Sequence, residues 1–279
     1  MLYSTEAWSK ISNKEIDRME TVDAAALRAI VGGGHSKCPK VFYYLEFGIL
    51  MFRHVMMIKR ICYHHHILTR DDKEIIKKVY LKQKETPIKG DWIETIKKDY
   101  EFIGESWDDE KIRSVPKEVF MKNITHKVTK AAFQFYILLQ EKCKKKLESL
   151  KYEDLQMQEY LINSSFNTAE IKLLISLRSK CYPSKMNFKK LNKGNLKCIF
   201  NCNQVETQTH VFENCEPILS KLGYSHTEQL KSIYGTHTEQ KSAIKVFLEI
   251  DIIRQQMIDD LLPGEDFART QDTFICNRL

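Results

Sequence analysis

Glycine and proline are scarce in this sequence, ten and six among 279 residues. All-β sandwiches and barrels punctuate every short strand with such turn residues, so their scarcity argues for a helix-rich fold. Long hydrophobic runs are missing as well. The longest apolar stretch, residues 41–52, is interrupted by Glu46 and is too short to span a bilayer. The opening Met-Leu-Tyr-Ser-Thr-Glu-Ala-Trp lacks the basic-then-apolar pattern of a signal peptide. The expectation is an intracellular protein, nuclear or cytoplasmic, that does not engage a membrane. A glycine-rich phosphate loop is also lacking: Gly32-Gly33-Gly34 has no following Lys-Ser/Thr and serves to stop a helix. No nucleophile and base stand at a useful spacing.

What is present suffices for a core: 43% of residues are hydrophobic and 29% charged. The length suits one to three domains. The net charge of +7 is unevenly spread. Residues 1–215 hold 37 Lys and Arg against 27 Asp and Glu, whereas residues 216–279 hold 7 against 10. Residues 171–205 carry eight basic residues and no acid. Such a strip suits a polyanion, with RNA or DNA the natural candidate; a solvated lysine-rich face is the alternative.

Helical periodicity recurs along most of the chain. A first helix over about residues 12–30 opens with Ser12 and Glu15 at capping-box spacing. Pro39 starts a second, which breaks near Gly48 and resumes to Leu68. Asp71 and Asp72 are placed to cap a third, lysine-rich helix ending near Glu85. Helices are predicted over 91–103, 106–113 and 116–146, the last with an apolar stripe that includes Val119, Phe120, Ile124, Val128, Ala132 and Leu138. Further helices are predicted over 154–162 and, behind an Asn167–Glu170 capping pair, over 168–180. The pattern lapses between Cys181 and Cys215, and a final helix spans about 241–262. The fold class is therefore mainly α: a helical body, a small irregular module and a C-terminal helix.

Eight cysteines without a secretory signal point to metal binding or buried thiols rather than a disulfide framework. Five are scattered; three cluster in Cys198-x3-Cys202-x7-His210-x4-Cys215. Three soft thiolates and one imidazole, in two close pairs, are the donors a tetrahedral zinc prefers. With all four positions taken no open site remains for a catalytic water, so the zinc would be structural. Beside this module Arg178, Lys180, Lys185, Lys189, Lys190, Lys193 and Lys197 form a basic strip for nucleic acid. Phe188 and Phe200 are interleaved, placed either to stack on bases or to pack the small module. His64-His65-His66 cannot converge on one ion, because successive helical residues point about 100° apart; a solvated helix end is expected there. Asp259-Asp260 resembles a polymerase metal-binding pair but lies in a segment of helical period, where an acidic helix end is the simpler reading.

Several segments, in order, resemble the region after the palm in LINE-type (non-LTR) retrotransposon reverse transcriptases. They are Leu2-Tyr3-Ser4-Thr5-Glu6-Ala7-Trp8; Leu27-Arg28-Ala29-Ile30-Val31-Gly32; Leu45-Glu46-Phe47-Gly48 with Lys59-Arg60-Ile61-Cys62-Tyr63; and Lys89-Gly90-Asp91-Trp92. Tyr152-Glu153-Asp154-Leu155, Leu177-Arg178-Ser179-Lys180 and Glu206-Thr207-Gln208-Thr209-His210 through Cys215-Glu216-Pro217 continue the order. Met51 stands where the family often has proline, and Cys-x3-Cys is the longer of its spacings. The resemblance implies a thumb-like helical region (1–70), a helical linker region (71–180), a CCHC zinc knuckle (181–217) and a C-terminal helical tail (218–279). It implies binding of template RNA or target DNA without polymerase activity, since the family's fingers, palm and catalytic aspartates precede the segments matched. Two other functions compete: a non-catalytic part working with a separate palm-bearing chain, and a helical protein-interaction module.

Overall fold

In the computed structural model, which describes residues 11–31, 38–86, 88–143, 147–184, 196–223 and 230–261, the chain is mostly helical. Among the described residues there is no strand, only an isolated antiparallel bridge between Lys197 and Val205. The mainly helical class read from composition and period holds.

Local side chains set several helix starts. Helix α1 (Asn13–Ile30) is capped as its spacing predicts: Ser12 N donates to Glu15 Oε2 at 2.8 Å and Glu15 N to Ser12 Oγ at 3.3 Å. The glycine stop at 32–34 lies outside the described residues. Helices α2 (Lys40–Phe47) and α3 (Phe52–Leu68) are separated at Gly48, which sits at φ +62°. A Cβ there would run into the backbone of Gln156 and Met157, so glycine is required both by the dihedral and by the space.

Helix α4 (Ile75–Glu85) starts later than expected. Asp71 does not cap it; its Oδ1 accepts from Lys73 N at 2.8 Å in the preceding turn. Helix α5 (Trp92–Phe102) is capped by Asp91, and α6 (Asp109–Ser114) by Asp108. Along α7 (Lys117–Lys142) the buried line is Phe120, Ile124, Val128, Ala132 and Tyr136, four residues apart. Val119 and Leu138, which the sequence stripe includes, are 50% and 57% exposed.

The predicted helix over 154–162 shrinks to α8 (Glu159–Ile162). The preceding segment is tied down instead: Tyr152 OH donates to Glu46 Oε1 at 2.6 Å, and residues 156–157 lie against Gly48. Helix α9 (Thr168–Arg178) carries the predicted box, with Glu170 N donating to Asn167 Oδ1 at 2.9 Å and Asn167 N to Glu170 Oε2 at 2.8 Å. Helix α10 (Glu216–Leu222) and helix α11 (His237–Leu261) complete the set. Among the described residues no single helix is long and apolar enough to cross a membrane; α2 and α3 meet that length and composition only together, across a 61° bend.

The described residues form two compact units, drawn from 1–26, 43–142 and 152–157, and from 27–42, 143–151 and 158–279. In the first, α3, α5, α6 and α7 enclose a core that includes Ile61, Ile96, Tyr100, Phe120, Ile124 and Val128. His64 and His65 enter this core, contrary to the solvated end expected from sequence, while His66 is half-buried, its Nε2 accepting from Arg70 Nε at 3.2 Å. His64 is fully buried, with Nδ1 3.2 Å from Tyr100 OH and Nε2 3.1 Å from Tyr80 OH. Indole rings of Trp92 and Trp107 stand edge-on to it at 5.9 and 5.0 Å. His65 stacks on Phe120 at 4.6 Å and reaches Val115 O at 2.8 Å. Two phenolic partners and a carbonyl satisfy the imidazoles, which makes their burial tolerable.

The second unit is built around α11, against which α9, α10 and a 3-10 turn (Leu230–Tyr234) pack. Leu174, Ile233, Ile244, Phe247 and Ile250 are buried there.

Candidate metal centre

Within the second unit, Lys197 and Val205 pair across a short loop that contains the first two cysteines. Cys198 N donates to Gln204 O at 2.7 Å and Glu206 N to Leu196 O at 2.8 Å, which closes the loop. Asn201 and Asn203 both sit at φ +58°, the left-handed region that asparagine tolerates better than most residues. Those two turns fold Cys202 back beside Cys198. The other two donors flank a π-helical turn, His210–Asn214, whose His210 N donates to Thr207 Oγ1 at 3.0 Å. Between them Phe212 is buried with its ring edge-on to Tyr182 at 4.7 Å and to Phe247 at 5.3 Å. This anchor turns His210 and Cys215 toward the loop.

The result is one cluster. The ligating atoms of Cys198, Cys202, His210 and Cys215 all lie within 4.8 Å of one another, close enough to hold a metal ion. The two sulfurs of Cys198 and Cys215 are 3.8 Å apart. A disulfide needs about 2.05 Å, so these are free thiols. Tetrahedral zinc with ordinary thiolate and imidazole bonds would require sulfur–sulfur edges of about 3.8 Å and sulfur–nitrogen edges of about 3.6 Å. The first is met; the Cys202 Sγ to His210 Nε2 edge is shorter at 3.1 Å. The donor set therefore fits zinc in chemistry and approximate geometry.

Surrounding groups prepare the donors. His210 Nδ1 lies 3.2 Å from Gln204 Oε1. The amide oxygen can only accept, so the ring proton sits on Nδ1 and the Nε2 lone pair faces the sulfurs. The hydrogen bond from Cys215 draws the Cys198 thiol down to about 5, against the effect of burial. Cys215, the other party to that contact, is pushed up by it and by burial, and Cys202 is raised by burial.

The basic strip is placed less uniformly. Lys185, Phe188, Lys189, Lys190 and Lys193 lie outside the described residues. Lys197 is exposed, its Nζ 3.5 Å from Asn203 Oδ1, and Lys180 is half-buried at φ +52°. Phe200 is half-buried on the loop. Arg178 does not join the strip: it is buried, donates to Ile233 O at 2.8 Å, and lies over the rings of Tyr160 and Tyr234 at 5.4 and 5.9 Å. Its carbonyl and ring partners hold the guanidinium inside the fold. Asp259 and Asp260 occupy the last turns of α11, both exposed.

No protein-family profile matches this chain, and no solved structure matches it. Among curated proteins it is similar to the "Uncharacterized mitochondrial protein Mp36" of Dictyostelium discoideum, with 28% identity over 46% of this chain. The match spans 19% of Mp36, about a fifth of that protein's length.

Three supporting residues escape the sequence reading. Gln204 carries no local signal of its role. Glu206, which opens the Glu-Thr-x-x-His run, is 1% exposed and accepts from Arg254 at 2.8 Å. Arg254, 48 residues away on α11, is recognisable only in the folded chain.

Proposed function

We propose that this chain is a non-catalytic C-terminal part of a LINE-type reverse transcriptase, binding RNA or DNA beside a structural zinc knuckle. The observation that carries the reading is the convergence of Cys198, Cys202, His210 and Cys215 within 4.8 Å. Three thiolates and an imidazole are a closed zinc set, with no position left for a reacting water. When bound, the ion supplies folding free energy rather than chemistry, roughly 10–16 kcal/mol of apparent binding in small modules of this kind. The ordered segments from Leu2 to Pro217 supply the family part of the reading, and the acid-free stretch 171–205 the polyanion part. Asp259 and Asp260 on a helix lack the hairpin setting that holds two catalytic ions between carboxylates.

The basic strip would contact phosphates and leave base edges unread, so binding should show little sequence preference. Titration of the zinc-loaded full chain with single-stranded RNA and DNA, at salt from about 50 to 200 mM, tests this. Affinity should fall steeply with salt. Neutralising Lys185, Lys189, Lys190 and Lys193 together should flatten the slope by about 0.7 per lost contact. Weak binding that is indifferent to salt and to those four changes would refute the nucleic-acid reading.

A further inference from the structure

Glu206 has two jobs at once. Its Oε2 accepts from Ile199 N at 3.3 Å, the residue after the ligand Cys198. Its Oε1 accepts from Arg254 of α11 at 2.8 Å. The side chains of this ion pair are 1% and 9% exposed. Arg254 also donates to Pro183 O at 3.1 Å, and its guanidinium lies 5.5 Å from the centre of the Tyr182 ring. Tyr182 OH in turn donates to Asp251, one turn before Arg254. The second half of the ligand set is fastened to the same helix by Phe212, packed against Phe247. Both halves of the cluster are thus tied to α11, yet no residue of α11 belongs to the cluster.

We propose that the metal knuckle and α11 are one linked folding unit, joined by Glu206 as a positioning residue, so that metal occupancy controls docking of α11. This rests on reading the four-residue cluster as a metal centre. The physical reason lies in the buried pair. Two charges taken out of water are tolerated only while their geometry is kept, and that geometry needs the loop closed so that Ile199 N and the Arg254 guanidinium meet one carboxylate. The metal closes the loop by holding Cys198 and Cys202 against His210 and Cys215. Opening the loop removes Glu206 from Arg254 and leaves a buried cation without its partner. Linkage then works in both directions: docking of α11 raises metal affinity by the same factor by which bound metal favours docking, so weakening the Glu206–Arg254 pair lowers metal affinity.

Cobalt(II) titration of the full chain, read by its thiolate-to-metal absorption, measures affinity and ligand set together. Hydrogen exchange along α11 with and without a chelator measures docking. The expected results are wild-type loading with a three-sulfur, one-nitrogen spectrum, and loss of exchange protection around Arg254 on chelation. Arg254→Met and Glu206→Gln should keep the spectrum's shape while affinity falls roughly 10–100-fold, the range for groups that orient metal ligands. Equal cobalt affinity in wild type and both variants overturns the proposal. So does α11 protection that chelation leaves unchanged, a measurement that needs no variant to fold. An absent thiolate–cobalt band in the wild type defeats the metal reading itself and the proposal with it.

Discussion

His64 illustrates how far a residue's fate depends on distant partners. Burial drives its pKa down to about 4, with Asp109 partly opposing that shift. The unfolded chain takes up a proton near pH 6.5, whereas the folded one refuses it until about pH 4. Stability from this site is therefore complete above about pH 6.5 and declines as the pH falls towards 4, by at most about 1.4 kcal/mol per unit. His54, lowered to about 3 by burial, adds to the same trend. His64→Gln keeps a side chain able to meet Tyr80 and Tyr100 without titrating, so urea unfolding between pH 7 and 5 should show a shallower decline in stability than in the wild type. An unchanged slope would mean that other groups govern the acid response. None of this is legible in His64-His65-His66 itself, because Tyr80, Tyr100 and Asp109 come from other helices. Arg178 fails for the same reason: its charge and place in the sequence assign it to the nucleic-acid strip, and Ile233, 55 residues on, claims it. The four metal donors, in contrast, stand within one short segment, where ligand type and spacing already indicate a common ion.

At the scale of the helix, local chemistry was the better guide. The boxes at Ser12–Glu15 and Asn167–Glu170 form as spacing requires, the second, whose bonds are partly buried, being worth about 1 kcal/mol. Periodicity marked out α7 but not its inner face, since Val119 and Leu138 are as apolar as their buried neighbours. Only tertiary packing, chiefly against α3, decides which residues are enclosed. Ile124→Ala should cost about 2–5 kcal/mol through a cavity, while Leu138→Ala should stay within about 0.5 kcal/mol. Equal losses in denaturant unfolding would contradict the observed face. The segment before α8 shows the reverse case, in which Tyr152 on Glu46 and the close approach to Gly48 override helical tendency.

For the whole molecule the proposal of a non-catalytic nucleic-acid binder has a direct consequence. Purified chain given primer, RNA template, deoxynucleotides and magnesium or manganese should extend nothing. Extension that disappears in Asp259→Ala/Asp260→Ala would instead establish that pair as catalytic. The mainly helical class and the metal cluster were open to sequence reasoning because both are local patterns. The Glu206–Arg254 bond was closed to it, since ion pairs between distant segments leave no periodic trace.

The crossing at Gly48 reaches beyond mechanics. Two stretches of main chain meet there without room for a single methyl group, so nearly any change at this codon deforms the first unit. In a reading frame drifting without purpose, that codon would accumulate replacements as freely as one for a surface lysine. Between this sequence and any close relative of it, the ratio of altered to silent changes at this one position would record whether selection still holds the fold.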